Sequence, residues 1–78
     1  MTVFERVRNT LARQLEIDPM TITEDTNIIA DLGADSLDIV ELIMELEETY
    51  NIIITNDDAG DLSTVGKIAA FIEKKLAQ

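Results

Sequence analysis

Seventy-eight residues, 46% hydrophobic and 28% charged, with three Gly and one Pro, describe one small globular domain spanning 1–78 and built from long regular elements. The absence of Cys and His excludes disulfides, thiolate nucleophiles, a Ser-His-Asp triad and the commonest transition-metal sites. Sixteen acids against six bases give a net charge of −10, and the fourteen acids between Gln14 and Gly66 meet no Lys or Arg, which excludes nucleic-acid binding. No apolar run reaches membrane-spanning length and no signal-peptide pattern opens the chain, so no membrane insertion and a cytoplasmic location are expected.

The first helix starts at Thr2, where Glu5 three residues on completes a capping-box pattern. Val3, Phe4, Val7, Leu11 and Leu15 then recur at helical spacing, and the helix ends near Glu16 because Pro19 disfavours helix at Asp18. From Ile17 to Ala34 no period is visible. A loop of this length is often functional, and Ile17, Met20, Ile22, Ile28, Ile29 and Leu32 are expected to pin it across the molecule.

A second helix runs from Ser36 to Tyr50, with Asp35 as N-cap and Asp38 at the third position, where negative charge suits the helix dipole. Asn51 to Leu62 is harder to read. Ile52-Ile53-Ile54-Thr55 has high β propensity but no partner strand, so the segment is expected to be an extended linker into one helical turn near Asn56–Ala59. The last helix runs from Thr64 to Leu76, capped by Ser63, with Val65, Ile68, Ala69, Ile72 and Leu76 as its buried stripe.

The second helix carries the functional argument. At about 100° per residue, Ile39, Leu42, Ile43, Leu46 and Tyr50 fall in one arc of roughly 100°, the core face. Asp38, Glu41, Glu45 and Glu48 line up on the far side with no base between them. Like charges at helical spacing cost stability, so the row calls for a reason other than solubility. Leu37, Val40 and Met44 point outward between these faces, as a small apolar patch rimmed by acids. That arrangement suits docking to a partner with a basic patch.

Ser36 opens this helix, in Gly33-Ala34-Asp35-Ser36-Leu37-Asp38. On position alone it is an ordinary helix-start serine, and with no His it is no triad nucleophile. A helix N-terminus does favour an attached anion, and the loop before it exposes the hydroxyl to a modifying enzyme.

Asp31-Leu32-Gly33-Ala34-Asp35-Ser36-Leu37-Asp38, followed by Val40-Glu41-Leu42 and Met44, resembles the signature of acyl carrier proteins of dissociated (type II) fatty-acid synthesis. The resemblance extends over essentially the whole chain. It implies an all-α, small four-helix bundle with a long first loop and a short third helix. It implies a non-catalytic carrier whose Ser36 holds 4'-phosphopantetheine, donated from coenzyme A by a pantetheinyl transferase, with acyl groups held as thioesters on the arm. By the same resemblance Asp35, Leu37, Asp38, Glu41, Met44, Glu47 and Glu48 meet basic patches on fatty-acid synthesis enzymes, and Val40 and Glu45, on the outward patch and the acidic row, are expected to join them. The resemblance implies that the acyl chain folds back between the helices, and the aliphatic faces of Leu42, Ile43, Leu46, Ile68 and Ile72 suggest where; a monomer is expected, with a dimer paired through Asn51 to Leu62 as the minority alternative.

Ile53 and Thr55 depart from the family's usual acid and Pro, Gly60 stands in place of a helix former, and Ile28 in place of a frequent aromatic. Three alternatives stay open: a carrier of the same fold for a polyketide or aminoacyl unit, an acidic interaction module, and a calcium-binding protein. Asp35 and the acidic second helix favour the fatty-acid type over the first. The second leaves the Gly33-to-Asp38 motif unexplained, and the third lacks an Asp-x-Asp-x-Asp-Gly loop.

Overall fold

The computed structural model describes residues 1–78 as four helices with no strand: α1 (Val3–Leu15), α2 (Ser36–Tyr50), α3 (Asn56–Ala59) and α4 (Val65–Leu76). A single 3-10 turn, Pro19–Thr21, sits in the long loop after α1. Local chemistry sets most boundaries. Thr2 accepts from the Glu5 amide while Glu5 accepts from the Thr2 amide, closing the expected capping box. The end of α1 is a left-handed Glu16, which reverses the chain before Pro19.

The α1 stripe packs mainly on α4 and less extensively on α2. Val7 and Leu11 from α1, Leu42 and Leu46 from α2, and Val65, Ile68 and Ile72 from α4 form the closed centre, with Ile22, Ile28 and Ala34 from the loop completing it. The loop is held by backbone as well as side chains. Ile28 N–H donates to the Ser63 carbonyl (3.1 Å), Val65 N–H to Thr26 (3.1 Å) and Gly66 N–H to Glu24 (2.9 Å). The last two bonds use amides at the start of α4 that a helix cannot satisfy internally.

Four expectations are corrected. The α4 cap is Thr64, whose hydroxyl accepts from the Lys67 amide; Ser63 is spent instead on the loop through its carbonyl. Met20 and Ile29 do not pin the loop but lie exposed, because the 3-10 turn and the turn after Asn27 rotate them outward while burying Ile22 and Ile28. Leu76, one turn past Ile72, is half exposed at the fraying end of α4. Ile43 is only half-buried and stands outside the packed cluster that takes Ile39 and Tyr50.

The bases are mostly occupied. Arg8 lies over the Phe4 ring and Lys75 over Phe71, each 5.6 Å from the centroid. Arg13 reaches across from α1 to Glu45.

Candidate functional site

Ser36 stands at a corner built from both sides. Before it, Asn27 Oδ1 accepts from the amides of Ile29 (3.0 Å) and Ala30 (2.8 Å), and Asp31 Oδ2 accepts from the Asn27 amide (2.7 Å). The turn closes as a helix end does. Gly33 N–H donates to Ile29 and Ala34 N–H to Ile28, with Gly33 at φ +70°, a conformation that favours glycine. Ala34 is buried, which anchors the corner to the core. After it, Asp35 and Asp38 form a reciprocal capping box: Asp35 Oδ1 accepts from the Asp38 amide (3.0 Å) and Asp38 Oδ2 from the Asp35 amide (3.1 Å).

The box leaves Ser36 free. Its side chain is exposed and its hydroxyl makes no hydrogen bond within the chain, because capping is done by its neighbour. The Ser36 and Leu37 amides have no acceptor within the chain either. An exposed, uncommitted hydroxyl beside two free amides at the positive end of a fifteen-residue helix fits a phosphodiester attached there.

From this corner α2 presents its surface as the helical wheel requires. Leu37, Val40 and Met44 are 63%, 49% and 61% exposed. Asp35, Glu41 and Glu48 are exposed beside them and Asp38 half-buried. Two acids are less available than their position on the wheel implies. Glu45 is half-buried and paired with Arg13. Glu47, also half-buried, has its Oε2 accepting from the Ile54 amide at 2.8 Å. Sequence reasoning assigned neither contact, since nothing local brings Arg13 or Ile54 to α2.

On the opposite side, Leu42, Leu46, Ile68 and Ile72 are fully or almost fully buried, with Ile43 at their margin. None of the three surface clefts reaches these five side chains. The interior next to α2 is closed.

The profile of a family described as "Phosphopantetheine attachment site" matches residues 5–72. An "Acyl carrier protein" from Wolinella succinogenes is 41% identical over 73 residues, 94% of this chain and 96% of that one. The chain belongs to the acyl carrier protein family. A second acyl carrier protein, from Campylobacter concisus, is 45% identical over 74 residues, covering 95% of this chain and 96% of that one. A solved chain from Mycobacterium tuberculosis, assigned to the same class of carrier, superposes with a TM-score of 0.87 at 34% identity, covering 95% of this chain and 99% of that one. The four-helix acyl-carrier fold is thus shared, and the protein is a carrier rather than an enzyme, with phosphopantetheine as its prosthetic group.

Proposed function

We propose that Ser36 is the attachment residue and that the chain carries acyl intermediates of fatty-acid synthesis as thioesters. The observation that carries this reading is the free, exposed Ser36 hydroxyl at the head of α2, beside two unpaired helix amides. Once attached, the arm supplies a thiol for thioester chemistry, and the protein supplies presentation. Asp35 and Asp38 keep their carboxylates on each other's amides, which holds the helix start rigid while Ser36 points outward.

Docking falls to the apolar triplet Leu37, Val40 and Met44 with Asp35, Asp38, Glu41 and Glu48 around it, and with Glu45 and Glu47 at its edges. Such a patch is too small for tight binding. Its acids steer a basic partner surface and keep contacts weak enough for rapid release, as a carrier visiting several enzymes requires. The acyl chain enters between α2 and α4, against Leu42, Ile43, Leu46, Ile68 and Ile72, by parting side chains that are closed over one another in its absence. Residues 1–78 act as one domain, monomeric and cytoplasmic.

Coenzyme A with a pantetheinyl transferase is expected to add the mass of one phosphopantetheine to the chain, and nothing to a folded Ser36→Ala variant. Modification persisting in that variant would remove Ser36 from its role.

A further inference from the structure

α1 carries three of the six bases of the chain, and two of them line a cleft that the carrier role leaves unused. Arg6, Asn9, Thr10 and Arg13 contribute to it from α1, and Glu45 and Thr49 from α2; it holds about 220 Å³. The spacing i, i+3, i+4 and i+7 sets the four α1 side chains along one stripe of two turns.

Most polar side chains here are donors without a partner. The Arg6 guanidinium is exposed and makes no ion pair or hydrogen bond. Arg13 meets Glu45 through Nη2 alone, which leaves its Nε and Nη1 uncommitted. Asn9 Oδ1 accepts from Arg8 Nε at 3.2 Å, so the free end of that amide is Nδ2, a donor twice over. Thr10 is only 7% exposed, yet its hydroxyl bonds to nothing in the chain. The other buried threonine, Thr26, accepts from the Thr23 amide at 2.8 Å. A hydroxyl buried as deeply as that of Thr10 ordinarily has a partner.

Glu45 brings the one negative charge, and Arg13 already neutralises it. Two guanidiniums against one carboxylate leave the cleft positive in a chain of net charge −10. Forked guanidinium donors, an amide and a hydroxyl converging from two turns of helix suit a tetrahedral oxyanion, which accepts from several directions. A planar carboxylate, with two oxygens, leaves some of these donors unpaired. We propose that the cleft binds a phosphoryl group, held by Arg6 and Arg13, with Asn9 Nδ2 and the Thr10 hydroxyl completing its shell. The field of the whole chain opposes any anion, so the affinity is modest and falls with salt. A phosphodiester on Ser36 is not the occupant, because Ser36 lies roughly 13 Å along α2 from Glu45. The ligand comes from solution, as free phosphate or as the phosphomonoester of a small metabolite.

Titration of the full chain with inorganic phosphate, followed by amide NMR shifts at an ionic strength held constant with chloride, tests the site. Saturable shifts centred on residues 9–13 and on Thr49 are expected at low-millimolar phosphate. Arg6→Gln, at a side chain that holds no part of the fold, should weaken binding about tenfold, and the isosteric Thr10→Val about three- to fivefold. Lys74→Gln removes the same charge from the exposed face of α4 and should stay within about twofold of the wild type. Glycerol 3-phosphate in a parallel titration separates the two sources: tighter binding than phosphate assigns the site to an ester, and equal or weaker binding to the free ion. Shifts that never saturate, or that chloride alone reproduces, overturn the site. Wild-type affinity in Arg6→Gln or in folded Thr10→Val overturns it as well, and so does a loss in Lys74→Gln equal to that in Arg6→Gln.

Discussion

Reversing Glu41 to Lys isolates the electrostatic role of α2 better than any other substitution on this helix. Glu41 is exposed and makes no ion pair or hydrogen bond. Its helical neighbours Asp38 and Glu45 repel it, and each such pair costs about 0.2–0.5 kcal/mol. Relief of two of them should stabilise the fold by roughly 0.5 kcal/mol, or about 2–4 °C in Tm for a domain of this size. Glu45→Lys changes the charge equally but sets an ammonium beside Arg13 in place of a carboxylate. The lost exposed pair is worth at most about 1 kcal/mol, and new repulsion of similar size outweighs the relief along the helix. That variant should melt roughly 2–4 °C lower. Stopped-flow association with a partner enzyme separates docking from folding. At low salt Glu41→Lys should associate about five- to tenfold more slowly than the wild type, and the gap should close near 0.5 M salt, where the screening length falls to a few ångströms. Glu73→Lys, on the exposed face of α4, matches the change in net charge and serves as control. If Glu73→Lys slows association as much as Glu41→Lys does, net charge alone explains partner preference and α2 is no docking face.

Two glycines should respond to Ala with opposite signs in thermal melts. A Cβ at Gly66 would stand 2.9 Å from the Glu24 carbonyl oxygen and 3.1 Å from its Cβ, so the loop must leave the start of α4. Loss of that hydrogen bond and the forced displacement of the loop backbone, about 2–3 kcal/mol together, exceed the roughly 1 kcal/mol of helix propensity gained. At Gly60, where φ is −61° and the nearest atom would be 3.5 Å away, Ala should stabilise by about 0.5–1 kcal/mol. The capping acids set a pH dependence. Glu5 is held below its ordinary 4.5 by hydrogen bonds from the Thr2 backbone and side chain, and Asp58 below its ordinary 3.8 by those from the Thr55 side chain and backbone. Both favour the charged form, so their stabilisation is present above these values and is lost as pH falls through the lowered ones. The Tm difference between the wild type and a Glu5→Ala/Asp58→Ala variant should therefore shrink below about pH 4. Added salt should raise the Tm of the wild type by screening the unpaired acids of the central stretch, and a Tm indifferent to salt would refute that repulsion.

Much of this molecule is legible without coordinates because its boundaries are set within a few residues of themselves. Thr2 with Glu5, Asp35 with Asp38, and the apolar spacing of α1, α2 and α4 are short-range signals, and each produces its helix within one residue of where it is expected. The same locality made Ser36 legible: an aspartate immediately before it takes the cap and leaves the serine hydroxyl uncommitted. Side-chain partners outside the helix were decided by tertiary structure. Glu45 and Glu41 look alike on a helical wheel, and only the packing of α1 beside α2 sets Arg13 against one and not the other. Thr64 rather than Ser63 caps α4 because the long loop returns to claim the Ser63 carbonyl. Glu47 reads as one more surface acid until the left-handed Asn51 turns the chain back and brings the Ile54 amide to its carboxylate. Periodicity and capping report where a helix begins and which face it buries. What a charged group meets across the fold depends on chain segments many residues away, and that was decided when the helices packed.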